Sequence, residues 1–487
     1  MNSSSPLYMQ VYNSIARDIY KGQYPFGSEL PNMKEIAEKY KVSAITVRAA
    51  FHELCEKRLI TVSQGKEARV IFDNCAERTM GTYFRWLAER RDAISEIYEL
   101  GRIVVPPFIV IGARACDDRA VERLCVIRDC SSQAKKSMQY NLEILTEFLM
   151  CIAVQTKNRV AINLFEQVDD FIKIPLVTSF DDKAVSDDMC RQSTEFMGRI
   201  IELISLCEFD GIYTYVKSKL DEILYLFGVY VKESTNGINP ESKVSFEWSL
   251  EQQKSYKYTK IADDLILKIM CCEYENGQLL PSEARLREIY GASTMTVRRA
   301  MKIVSSEQMI RTNQGQGSVV ALNKSGISKN GPRYMRLVMG LPRHAEVLQI
   351  LQVSLPELAR TAFCKSREEL ETAADESMAQ INGKYMWAGM SIVKSMVEKL
   401  PNKAVREIYM QLLRDVSRHN LLCTFFEQSM PDYRGKFAEM LVQTRLAVKS
   451  GDYCKFLDGV SQMVKLVAAA NAAFAAENEI FFDLTEI

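Results

Sequence analysis

Apolar residues recur in steps of about one helical turn near the start of the chain (Leu7, Val11, Ile15, Ile19) and again at Tyr258, Ile261, Leu265 and Ile269. Each set predicts an amphipathic helix with one buried stripe. Gly22-x-Tyr24-x-x-Gly27 ends the first helix, and Tyr274 to Gly277 matches its latter part. Pro31 and Pro281 are expected to open a second helix, where a missing N–H is harmless, and Met33, Ile36, Ala37 and Tyr40 give that helix a core face. Lys41-Val42-Ser43 and Gly291-Ala292-Ser293 read as turns whose serines cap a third helix. There Val47, Phe51 and Leu54 point inward, as do Val297, Met301 and Val304. Two short strands close each copy, Leu59 to Val62 with Ala68 to Phe72, and Ile310 to Thr312 with Ser318 to Val320.

Adding 250 to a residue number carries Leu30-Pro31 to Leu280-Pro281, Thr46-Val47-Arg48 to Thr296-Val297-Arg298, and Gln64-Gly65 to Gln314-Gly315. The chain is an internal duplication. Helix, helix, turn, helix and glycine-tipped hairpin, in that order, are the layout of a winged helix-turn-helix, which sets one helix in the major groove of DNA and a hairpin beside it. The outward residues of the third helix are Ser43, Ala44, Ile45 and Arg48 in one copy and Ser293, Thr294, Met295, Arg298 and Arg299 in the other. Hydroxyls and arginine at a helix start suit phosphates and base edges. The hairpin tips, with Gln64, Gly65 and Lys66 or Gln314, Gly315 and Gln316, bring backbone N–H groups close to phosphate.

Pro6-Leu-Tyr-Met-Gln-Val, Leu30-Pro, Ser43-x-x-Thr46-Val-Arg48 and the Gln-Gly tip resemble the GntR family of bacterial transcription regulators. Leu280-Pro-Ser-Glu, Met295-Thr-Val-Arg-Arg and Asn313-Gln-Gly-Gln-Gly resemble it more closely. The resemblance implies DNA contacts from Lys34, Ser43, Ala44, Ile45, Arg48 and Gly65, and from Ala284, Ser293, Thr294, Met295, Arg298 and Gly315; Thr46 and Thr296 belong to the same motif. The family usually has arginine where this chain has Lys34 and Ala284, and often where it has Ala44 and Thr294, which points to weak binding or an unusual half-site for the first head.

Residues 76–232 and 332–487 have helical periodicity with little strand alternation and read as all-α bodies after heads at 1–75 and 256–322. The expected fold class is therefore mainly α: two winged helix-turn-helix domains with small β-wings, each followed by a helical bundle, paired as an internal pseudo-dimer. Ala93 to Pro107, Ala113 to Leu124, and Phe148 to Phe165 with Asn158 at a helix break resemble the effector domain of the FadR branch. The last stretch recurs as Ile392 to Tyr409 with Asn402, and Ser450-Gly-Asp-Tyr resembles the start of that domain's last helix. Many such domains hold a metal through one aspartate and three histidines, but Leu149, Val393, Asp221 and Met463 stand at two of the expected histidine positions in the two copies. No metal and no cofactor are therefore expected, and His52, His344 and His419 read as surface or satisfied structural residues. An effector would sit in a cavity of a bundle. Trp86, Tyr83, Trp387 and Tyr385 at helical spacing read as core rather than cavity lining. Residues 233–255 read as a linker between copies, and about 20 residues extend to about 70 Å, beyond the roughly 34 Å between half-sites one DNA turn apart.

Hydrophobic residues at 47% and charged residues at 25% are ordinary globular values. Basic and acidic residues balance at 62 each, so net charge names no partner; the heads are slightly basic, ten against eight over residues 6–73 and nine against seven over 256–322. Thirteen cysteines without a Cys-x-x-Cys pair fit a reducing, cytoplasmic setting, and no apolar run is read as reaching the roughly 18 residues of a membrane span. No nucleophile elbow, phosphate loop, zinc motif or dinucleotide fingerprint points to an enzyme. The expected function is a sequence-specific regulator that binds double-stranded DNA at an imperfect palindrome and answers to a small-molecule effector. The alternative is a ligand-sensing or scaffold protein whose first head no longer contacts DNA. Whether two whole chains associate further is left open.

Overall fold

In a computed structural model, residues 7–20, 23–40, 42–56, 59–62, 67–71, 76–132, 138–172, 183–240, 243–248, 250, 257–271, 273–307, 309–313, 317–321, 332–384, 388–419, 426, 429–480 and 484 are described. The first head holds α1 (Leu7–Tyr20), α2 (Met33–Lys39), α3 (Ala44–Glu56), β1 (Ile60–Thr61) and β2 (Arg69–Val70). Body 1 follows with α4 (Ala76–Arg114), α5 (Asp118–Ser132), α6 (Met138–Ala153), α7 (Arg159–Ile172), α8 (Lys183–Ser205) and α9 (Phe209–Ser234). The second head holds α10 (Lys257–Met270), α11 (Glu283–Tyr290), α12 (Thr294–Ser306), β3 (Ile310–Asn313) and β4 (Gly317–Val320). Body 2 comprises α13 (Pro332–Met339), α14 (Leu341–Lys365), α15 (Arg367–Lys384), α16 (Ala388–Glu398), α17 (Lys403–His419), α18 (Tyr433–Ser450) and α19 (Tyr453–Glu477). This is the mainly α fold with two small wings that the periodicity predicts.

The repeat persists down to single hydrogen bonds. Val11, Ile15, Ile19, Ile36, Val47, Leu54 and Val70 are buried in one head, and Ile261, Leu265, Ile269, Leu286, Val297, Val304 and Val320 in the other. Ile60 pairs with Val70, and Ile310 with Val320. Leu30 N donates to Ala68 O as Leu280 N does to Ser318 O, both at 2.8 Å. Gly27 (φ +80°) and Gly277 (φ +90°) turn the chain toward the wing, donating to Val70 O and Val320 O from a left-handed conformation that glycine alone adopts without strain.

Pro31 and Pro281 do not open the second helix. Each precedes the cap: Asn32 accepts from Lys34 N and Glu35 N in a reciprocal capping box with Glu35, and Ser282 accepts from Arg285 N. A side-chain acceptor must sit at the cap, and that moves proline one position outside the helix.

The described chain divides into two compact units, one of residues 1–98, 116–152 and 168–247, the other of residues 99–115, 153–167 and 248–487. In the first, α5 packs on α8 and α8 on α9. Half-buried Trp86 packs, with Phe171, against the small core of Leu87, Ile94 and Val231 and lies under the Arg90 guanidinium. Tyr83, Tyr385 and Trp387 are among the aromatics whose side chains lie outside the described residues.

In the second unit, α14 packs on α16, α17 and α19, and α18 on α19. The start of α7 belongs here, and its break is made by Asn158: Oδ1 accepts from Ala161 N (2.8 Å), while Nδ2 donates to Glu346 O and Gln349 Oε1 of α14 (both 2.8 Å). Val160 N donates to Glu346 Oε2 at 3.2 Å. Asn402 caps α17 in the same way, accepting from Val405 N at 3.1 Å.

Three readings are corrected. Within the stretch 233–255, the described residues 243–248 are held in place: in the first unit Val244 N donates to Glu89 O and Phe246 rests edge-on against Phe171, and in the second Trp248 is buried, donating to Asn163 Oδ1 and accepting from Gln411. Burial of the two aromatic side chains offsets part of the entropy lost by ordering this stretch. Second, α19 has the length and composition of a membrane span, because its run of alanines carries few charges. It also packs as a bundle helix through Phe456, Val460, Met463 and Phe474, all buried. Third, His344 is buried with neither ring nitrogen hydrogen-bonded, so it is not a satisfied structural residue.

Asn158→Ala removes a cap and leaves buried donors and acceptors unpaired. It is expected to lower stability by about 2–4 kcal/mol, against about 1 kcal/mol for Asn402→Ala at a less buried cap, as read from urea unfolding midpoints.

Candidate nucleic-acid interface

Local chemistry places the start of each third helix. Ser43 Oγ accepts from Thr46 N at 3.2 Å and shares a hydrogen bond with Thr46 Oγ1 at 2.8 Å; Ser293 and Thr296 repeat both distances. These hydroxyls fix the helix start and keep it at the surface. Ala44 and Arg48 are exposed with Ser43, as are Arg298 and Arg299 with Ser293, while Thr46, Thr294 and Thr296 are half-buried. Between them stands a large apolar side chain in water: Ile45 is 78% exposed and Met295, at the same position of the repeat, 61%. Leaving such groups in water forgoes the burial that stabilises their inward neighbours Val47 and Val297, both fully buried.

The heads then diverge. Arg298 Nε donates to Glu283 Oε2 at 2.9 Å, from the first turn of α11; the equivalent of Glu283 in the first head is Met33, so Arg48 has no such carboxylate. Arg299 lies over the Tyr258 ring, 5.8 Å from its centroid, and is thereby drawn back toward α10; the first head has Ala49 there. Lys34 and Ala284 both sit exposed in the first turns of α2 and α11. One residue beyond Ala284 is Arg285, exposed and paired with Glu288 at 2.7 Å. The motif spacing looked only at position 284 and so missed this cation. Arg69 and Arg311 add exposed cations on the wing strands. The tips themselves, Gln64, Gly65, Lys66, Gln314, Gly315 and Gln316, lie outside the described residues.

The second helices are locked to the first by one pair at equivalent positions. Ser14 Oγ meets Tyr40 OH at 2.9 Å in head 1, and Tyr290 OH donates to Asp264 Oδ2 at 2.6 Å in head 2. Burial and the adjacent Asp264 carboxylate hold the Tyr290 hydroxyl far above its ordinary pKa, so it remains a donor.

Three helices, a two-stranded wing and an outward third-helix start define each head as a winged helix-turn-helix. Residues 7–70 and 257–320 both match the model of the gntR family of bacterial regulatory proteins, and both heads are domains of that family. Over 63 residues the chain is 43% identical to the HTH-type transcriptional repressor STM4068 of Salmonella typhimurium, covering 13% of this chain and 26% of that protein. Over 64 residues it is 45% identical to the uncharacterized HTH-type transcriptional regulator YurK of Bacillus subtilis, again 13% and 26%. The match thus spans about a quarter of the length of these relatives. The solved structure of E. coli McbR/YncC aligns over 48% of this chain and 100% of its own at 15% identity with a TM-score of 0.26.

Because they contact nothing that holds the fold, Ile45→Ser and Met295→Ser are expected to change stability by no more than about 0.5 kcal/mol. Ser293→Ala should cost about 1 kcal/mol through its lost cap. Thermal unfolding of the three variants distinguishes surface from scaffold.

Proposed function

We propose that the chain is a sequence-specific DNA-binding transcription regulator whose two non-identical heads act as an intramolecular pseudo-dimer. The observation that carries this reading is the pair Ile45 and Met295. Each stands in water at the start of a rigidly capped helix with an arginine one turn on. An apolar side chain there suits a thymine methyl, and arginine suits the paired acceptors of guanine. The hydroxyls of Ser43, Thr46, Ser293 and Thr296 and the described wing cations Arg69 and Arg311 suit phosphates. Since Ala44 faces Thr294 and Ala49 faces Arg299 across the repeat, the preferred site is an imperfect palindrome.

The pseudo-dimer is supported by Asn158, a residue of body 1 whose partners Glu346 and Gln349 lie 188 and 191 residues further along the chain. A small-molecule effector held in body 2 is supported by Asn471 of α19, fully buried with neither amide atom hydrogen-bonded. Such a group suits a polar ligand in an otherwise apolar bundle. An effector acts by binding one arrangement of the heads better than another.

Selection of bound DNA from a random pool is expected to return two unlike half-sites. On that DNA, Arg48→Ala and Arg298→Ala should each weaken binding by about 5- to 150-fold, the equivalent of about 1–3 kcal/mol per bidentate contact. The reading fails if neither change weakens binding. If only Arg298→Ala does so, and the salt dependence is about half that of a two-headed complex, the first head serves only as scaffold.

A further inference from the structure

One cluster of ligand-type side chains is used by neither the heads nor the contacts of Asn158. It lies in body 2, where α14 meets α17. His344, Asp415 and His419 are all buried, and one potential ligand atom from each lies within 4.8 Å of the other two. His419 Nδ1 is 3.4 Å from Asp415 Oδ2, and His344 Nδ1 is 4.0 Å from it. Arg343 occupies the other carboxylate oxygen, with Nη2 2.8 Å from Asp415 Oδ1, and so leaves Oδ2 toward the imidazoles. Neither nitrogen of His344 has a hydrogen-bond partner, and neither has Oδ2. A core that only needed filling would not bury three such groups together. The repeat does not carry His344 and Asp415 into body 1: Ile94 stands at the position of His344 and, counted from the cap asparagines, Phe171 at that of Asp415.

We propose that His344, Asp415 and His419 bind a divalent transition-metal ion, with Zn2+ as the reference case. Two imidazoles and one carboxylate are a donor set such ions favour, and a fourth position stays open to water or a further ligand. Two ligands about 2.0 Å from a tetrahedral ion are about 3.3 Å apart, so the spacing of His419 and Asp415 already fits and that of His344 closes by a fraction of an ångström. The two rings are stacked, centroids 4.7 Å apart and tilted by 21°, so their lone pairs do not yet converge. Turning His344 about its Cβ–Cγ bond corrects this and breaks no hydrogen bond. His419 Nδ1 exchanges its 3.0 Å contact with Asp415 O for the ion. Gly340 is part of the wall, since a Cβ there would meet His419 Nε2 at 2.2 Å. Arg343 already balances the carboxylate, so the site attracts by coordination rather than by net charge, and Mg2+ and Ca2+ should not compete. The site lies away from Val393 and Met463, where the family resemblance would put its histidines, and it stands whether or not the heads bind DNA.

The test is equilibrium dialysis of the full, chelator-treated chain against Zn2+ and Co2+, with the Co2+ absorption spectrum. The expected result is an ion bound with a nitrogen–oxygen ligand spectrum, unaffected by millimolar Mg2+, kept by His52→Ala and weakened at least 100-fold by His344→Ala and by Asp415→Asn. The thirteen cysteines are the rival ligands. Thiolate charge-transfer bands as the sole signal, retention of the ion by both variants, or no binding would each overturn the proposal. Since a buried truncation can unfold the bundle, the spectrum of the unaltered chain decides on its own.

Discussion

Asn158, Val160 and Ala161 at the start of α7 are buried, and backbone N–H groups there must be satisfied inside the protein. Asn158 takes one of them and Glu346 another, while the Asn158 amide is spent on Glu346 O and Gln349 Oε1. Helix α7 therefore cannot begin in its place without α14, although 188 residues of chain separate the partners. Burial raises the pKa of the Glu346 carboxyl, against the pull of Val160 N–H and Arg159, so this group is held at an electrostatic cost for the sake of the donors it satisfies. The start of α7 and α14, from different copies of the repeat, are in this sense parts of one compact unit.

The heads show what a duplication keeps and what it changes. Packing positions hold their apolar character, since replacing a methylene in a dense core is felt at once. Polar positions have been rewritten around the same geometry: Ser14 and Asp264 both meet a tyrosine of the second helix. Asp18 lies 3.9 Å from Lys39, whereas Lys268 stands at its position and pairs with Asp264 at 3.1 Å. Met33 and Ala49 became Glu283 and Arg299, and with them the surroundings of the exposed arginine changed.

The heads were legible because every signal that builds them is local. Four-residue apolar steps, a serine three residues before a free N–H, and a glycine with positive φ act within a few residues of one another. The proline of the second helix lies two residues before its first helical position, because Asn32 in one head and Ser282 in the other take the cap. The bodies were legible only as helices. Periodicity says which face of a helix is buried and nothing about which partner covers it, so the link from Asn158 to α14 had no signature. The same blindness hid the fate of Phe246 and Trp248, two large aromatics in a stretch rich in turn residues, and the company of His344, whose ligand-type neighbours are supplied by another helix.

Helix α17 joins these levels. Arg414 and Arg418, one turn apart, face Asp264 and Asp263 of α10, with Arg414 3.7 Å from Asp264 and Arg418 paired with Asp263. Asp415 and His419, the next residues, face α14. The two rows lie about 100° apart on one helix, so α17 cannot turn to suit α14 without moving the cations that hold the second head. The first head has Asn13 and Ser14 where the second has Asp263 and Asp264, and no ion pair of that kind is open to it. Its α1 carries Tyr12, half-buried and near the charges of Arg90 and Glu89. Two neutral side chains in place of two carboxylates thus give otherwise matching heads different attachments to the bodies that carry them.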